Sequence, residues 1–161
     1  MGRPGGFRSP ADRETYVAAY GDTVARAGVR FEQIGLISRH GRTHVMRTGP
    51  SDGPPVVFLH PRALSSTVWI PTVRPFTETH HVHLVDVVGD MNIALASLTM
   101  PVTVLVGEDD AVVDSPRVVT RARQRLPNAR VRVVADANHL VTADRPEVVL
   151  EELERLLAAP C

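Results

Sequence analysis

Short apolar runs, each closed by glycine, proline or acid, set the rhythm of the chain from about residue 31 onward. Val56–Leu59, His81–Val88, Val102–Val106 and Val131–Val134 are four such runs, nearly continuous in apolar residues, as strands buried on both faces are. Before them, Ile34–Arg39 and Thr43–Arg47 flank Gly41 and predict an antiparallel hairpin. Helical spacing appears in four places. Ser9-Pro10 with Asp12 starts a helix whose stripe is Tyr16, Ala19, Tyr20 and Val24, broken at Gly21. Residues 91–100 read as a short helix with Ile93, Leu95 and Leu98 apolar. Ser115, a hydroxyl cap, and Pro116 open a third helix with Val118, Val119, Ala122 and Leu126 on one face. Asp144 and Glu147 stand at capping-box spacing before Val149, Leu153, Leu156 and Leu157, and Pro160 ends that helix. Residues 63–73 read as a loop with a helical turn carrying Trp69, and residues 49–55 as a polar loop. Residues 1–8, rich in Gly, Pro and Arg, are expected to be disordered, and 9–161 to form a single domain. A hairpin followed by alternating strands and helices predicts a three-layer α/β sandwich with a mostly parallel sheet.

The stretch from Pro101 to Leu140 organises the rest: strand, acidic turn, helix, strand, and a turn ending in histidine. The first turn carries Glu108, Asp109 and Asp110, and the second runs from Asp136 to His139. In a parallel unit both turns leave the carboxyl edge of the sheet, where such folds place their ligands. A carboxylate there can orient an imidazole and stabilise its cation, which is half of a catalytic apparatus. Acidic turns also serve as helix caps, and a loop histidine is usually just solvated, so spacing alone leaves both readings open.

Composition narrows the field. At 161 residues with 43% apolar content, the chain is long enough to bury a core. The 18 basic and 18 acidic residues cancel, so nothing electrostatic favours nucleic acid or an anionic membrane. Every basic residue is arginine, which excludes lysine Schiff-base chemistry. The one cysteine is Cys161, so no internal disulfide forms, and no signal-peptide or membrane-length apolar run occurs. A cytoplasmic location is expected.

In order along the chain come GRTHVMRTGP, PPVVFLHP, Trp69, VHLVDVVGD, PVTVLVGEDD and ANHL before the last helix. With that order and spacing, the sequence resembles the α/β-hydrolase superfamily over most of residues 30–158. The resemblance implies that Asp110 stands at the acid position of the catalytic triad and His139 at its histidine. It also implies that His60, Pro61, Arg62 and Ala63 stand where the oxyanion hole is built. Two departures accompany it. The family's Gly-x-Ser-x-Gly nucleophile elbow belongs between the VDVVGD and PVTVLVG strands, and only about a dozen residues, without that motif, lie there. Elbow strand, following strand and cap region are expected to be missing. Ser97 lacks flanking glycines, and Ser65 and Ser66 suit capping or turn roles better than attack. The family's His-Gly is His60-Pro61 here, and proline neither donates an amide proton nor takes every loop conformation glycine allows.

Losing the nucleophile of a serine hydrolase costs on the order of 10⁶ in turnover. The expectation is therefore an enzyme without a covalent nucleophile, in which His139, oriented by Asp110, performs general acid/base chemistry on a small organic substrate. Cyclisation, elimination or isomerisation would suit a tailoring step of secondary metabolism. The alternatives are a non-catalytic binding or interaction module, a residual ester hydrolase, and a decayed remnant. His60, Pro61, Arg62, Ala63, Leu64, Trp69, Asp86, Met91 and Leu140 are the expected substrate-binding residues, although each apolar one is as ordinary in a core. His80, His81 and His83 crowd one strand entrance, yet no third ligand of matching geometry is evident, and no metal or cofactor is expected. His40 and His44, flanking the hairpin turn, read as surface residues. The short connection spans roughly 27 Å as helix plus extended chain, enough to let the sheet close with Val56–Leu59 beside Val102–Val106. A homodimer covering exposed apolar surface is expected with it.

Overall fold

The computed structural model describes residues 7–38, 41–61, 64–86 and 100–158. The expected helix over 91–100 and the end of the His81–Val88 strand lie outside them. The chain divides into two compact units, residues 1–91 and 92–161.

In the first unit, helix α1 (Pro10–Ala25) is capped by the Ser9 hydroxyl, which accepts from the Asp12 amide at 3.1 Å. No residue of α1 is fully buried. Strands β1 (Glu32–Ser38) and β2 (Gly41–Thr48) form the expected hairpin, with Ile34 opposite Val45. Strand β3 (Pro55–Leu59) is followed by a 3₁₀ turn over Ser66–Trp69 and the short helix α2 (Ile70–Val73). Strand β4 (His81–Val85) lies between β2 and β3, giving the order β1-β2-β4-β3. Alternation along β3 and β4 sends Val56, Phe58, Val82 and Leu84 into the core with Met46, Ile70, Val73 and Phe76. Burying such side chains contributes roughly 1.5–3 kcal/mol each.

In the second unit, β5 (Thr103–Gly107) and β6 (Arg130–Val134) pair in parallel across helix α3 (Ser115–Arg125), and α4 (Val141–Asp144) and α5 (Pro146–Leu157) follow. Alternation along β6 turns Arg130 and Arg132 toward α5, where both bond the buried Glu152, and turns Val133 toward Pro116 and Val119 of α3. This unit therefore has helices on both faces of its strands.

Several sequence expectations change. Among the described residues the β1–β2 and β2–β4 ladders are antiparallel and β3–β4 and β5–β6 parallel, so the four-stranded sheet is mixed and the two-stranded one parallel, which leaves the expected mostly parallel sheet unconfirmed. The reason is β2, which returns from the hairpin against the direction of β4. Among the described residues β3 pairs with β4 and β5 with β6. Asp114, not Ser115, caps α3, accepting from the Arg117 amide at 3.0 Å, while the Ser115 hydroxyl donates to the Gly107 carbonyl at 2.7 Å. Asp144 caps no helix either. Its carboxylate takes the Asn138 amide at 2.7 Å, and α5 begins separately at Pro146.

Candidate active site

The acid and histidine turns are joined before any side chain meets. Beyond the end of the β5–β6 ladder, the Glu108 amide donates to the Val134 carbonyl at 2.9 Å and the Asp109 amide to the Ala137 carbonyl at 3.0 Å. Gly107 is what allows this approach, since a Cβ there would collide with the carbonyls of Ala137 and Asn138. Asp136, at φ 52°, turns the chain through the left-handed region, and Arg145 holds that turn through the Ala135 carbonyl and the Asp136 carboxylate, both at 3.2 Å.

On this frame His139 Nδ1 donates to Asp110 Oδ2 at 2.8 Å. The other carboxylate oxygen accepts the Val112 and Val113 amides at 2.8 and 3.0 Å. The Asp110 side chain is 5% exposed and that of His139 14%. Burial pushes the Asp110 carboxyl upward, but the His139 hydrogen bond and the two amides outweigh it and hold the group below the usual aspartate range. An ionised carboxylate can only accept, so the imidazole proton sits on Nδ1 and Nε2 is the basic atom. Such an arrangement would let Asp110 stabilise the imidazolium form of the ring.

The other expected site residues are distributed as follows. Leu140 lies beside His139 and is 37% exposed. His60, Pro61, Leu64, Trp69 and Asp86 lie in the first unit, and Arg62, Ala63 and Met91 fall outside the described residues. His60 is buried, and its Nδ1 donates to the Pro61 carbonyl at 2.8 Å. The Trp69 ring tilts against Phe58 at 5.2 Å, with its Nε1 buried and unbonded among the described residues. Asp86 is the hub of a polar cluster that sequence reasoning missed. Its Oδ1 accepts the Ser66 amide at 2.7 Å, and its Oδ2 accepts the Tyr20 hydroxyl and His44 Nδ1, both at 2.8 Å. With the Tyr20 proton so used, the fully buried Ser66 hydroxyl donates to Tyr20 at 3.0 Å. Burial pushes the Asp86 carboxyl up, and these donors more than reverse it, while burial drives the Tyr20 phenol well above its ordinary value. His44 is therefore no plain surface residue, and the Ser66 hydroxyl is buried within this cluster. Tyr20 and His44 lie 24 residues apart in sequence and no local signal joins them.

One serine does carry the elbow pattern. Residues 49–53 read Gly-Pro-Ser-Asp-Gly, a sequence coincidence that the geometry removes. The segment is an exposed turn closed by the Gly53 amide on the Pro50 carbonyl at 3.1 Å, leading into β3 with no helix after it. It lies at the amino ends of β3 and β4, the edge opposite the one at which such sheets bind ligands.

No family model matches the chain. The carboxylesterase nap of Bacillus subtilis (strain 168) is 35% identical over 77 residues, 48% of this chain and 26% of that protein. The carboxylesterase YbfK of the same organism is 28% identical over 85 residues, 53% of this chain and 29% of its own length. The chain thus spans between a quarter and a third of the curated relatives it matches. Among solved structures, carboxylesterase CesB (YbfK) from Bacillus subtilis superposes with a TM-score of 0.71 at 13% identity, over 92% of this chain and 99% of that one. Naproxen esterase (carboxylesterase NP) from the same organism gives 0.69 at 15% identity, over 94% and 100%. The esterase RhEst1 from Rhodococcus sp. ECU1013 gives 0.62 at 13%, over 80% and 98%. With its strand order, its acid and histidine turns and these neighbours, the chain has the α/β-hydrolase fold, in a shortened version whose sequence between β4 and β5 contains no Gly-x-Ser-x-Gly motif.

Proposed function

We propose that this chain is an acid/base enzyme on an α/β-hydrolase scaffold, in which His139, oriented by Asp110, moves a proton on a small organic substrate without an acyl-serine step. The observation that carries the reading is the 2.8 Å bond from His139 Nδ1 to a carboxylate that is 5% exposed and already holds two backbone amides. Nε2 takes a proton from carbon or oxygen of the substrate and returns it to the product, in the manner of a cyclisation, elimination or isomerisation. Leu140, beside the histidine, offers apolar contact. A second reading is favoured by the carboxylesterase relatives: the same base activates water directly against an ester carbonyl.

Two measurements test this. A fluorophosphonate probe should leave the protein unlabelled, and covalent labelling of any serine would return it to ordinary serine hydrolysis. Activity screened on aryl esters and on enolisable carbonyl compounds should fall on the order of 10²–10⁴-fold in His139→Ala, the usual worth of a positioned acid/base group. Undiminished turnover in that variant would remove the proposal.

A further inference from the structure

We propose that Asn138 is the positioning residue of this site, its side-chain carbonyl locking the histidine turn onto the acid turn. The inference rests on the reading of His139 and Asp110 as the working pair. Asn138 Oδ1 accepts two backbone amides at once, Ala111 at 3.0 Å and His139 at 2.8 Å. Ala111 follows Asp110 directly, so this one oxygen ties together the backbones next to both members of the pair. Both contacts are N–H donors, which fixes the amide orientation: a flipped side chain would point NH₂ at two N–H groups. The Asn138 backbone is held in turn by Asp144, whose carboxylate accepts its amide at 2.7 Å. The bridge sits outside the strand ladder, past the last backbone bond between the turns, from Asp109 to Ala137. Beyond that bond, only the Asn138 bridge and the His139–Asp110 bond itself are seen to join the two turns among the described residues. The bridge fixes the His139 backbone relative to the acid turn, so the imidazole starts from a set place and only its own side-chain torsions are left to bring it to the carboxylate. A side chain that only filled the turn would have no reason to take the Ala111 amide 27 positions away.

The test follows the His139 ring by NMR against pH in the full chain, with amide exchange at Ala111. Removing the anion in Asp110→Asn should lower the His139 midpoint, since the carboxylate favours the imidazolium. If that variant titrates like the native protein, the acid/base reading of the pair falls, whatever Asn138 does. Given a shift in Asp110→Asn, Asn138→Ala should lower the midpoint by at least about 0.5 pH unit and speed exchange at the Ala111 amide. A native midpoint and native Ala111 exchange in Asn138→Ala would overturn the positioning role while leaving the pair intact. Asn138→Asp keeps the accepting oxygen and should retain native Ala111 protection. It is also the deciding variant should Asn138→Ala not fold, because loss of Ala111 protection there would equally overturn the role.

Discussion

Asp86 and Asp110 are each a carboxylate taken out of water and repaid with donors, and acid should act on them alike. Each has a folded-state value below the ordinary aspartate value of 3.8. A depressed value stabilises the fold fully above the unfolded-state value, and that contribution disappears as pH falls through the lower, folded value. Asp86 gathers Ser66, Tyr20 and His44, so Asp86→Asn should cost about 2–4 kcal/mol at neutral pH. It should also flatten the acid limb. Urea unfolding measured at intervals below pH 6 checks both, and a variant with native stability and the native acid slope would show the cluster to be incidental. Tyr20 has a particular share in this cluster, since α1 buries no residue fully and its phenol reaches Asp86.

At the scale of elements, the contact of Gly107 with the histidine turn is the most sensitive joint. Gly107→Ala would drive a methyl against the Ala137 and Asn138 carbonyls, and backbone on both sides leaves no flexible side chain to yield. A loss of about 1–3 kcal/mol is expected, with displacement of the His139 ring from Asp110. Thermal unfolding and the ring titration report the two effects separately, and a variant native in both would mean the turn moves freely. The strands, the hairpin and the start of α1 were legible in the sequence, because apolar runs, proline and small polar caps act locally. The Asp110–His139 pair was legible only through the resemblance. What could not be read depends on partners distant in the chain. Asp114 rather than Ser115 caps α3 because the Ser115 hydroxyl is drawn to Gly107, and Asp144 leaves its helix because the Asn138 amide needs an acceptor. The same distance hid the Tyr20, His44 and Ser66 cluster around Asp86.

For the whole molecule, the expected homodimer remains a prediction. Ile37 is 89% exposed and Val57 48% in the first unit, and Val112 is 58% exposed in the second. Light scattering after size exclusion should give twice the 17.6 kDa chain mass at micromolar concentration, and a single-chain mass throughout would dismiss it. Among the described residues no helix is long and apolar enough to cross a membrane.

The hydrogen bonds seen to fix the acid and histidine turns run between residues 107 and 145. Among the described residues, these bonds and the β5–β6 ladder from which both turns leave all lie within the second unit. On the proposed reading, a scaffold without its attacking group would keep its proton carrier in place, because the bonds that set it are local to one unit.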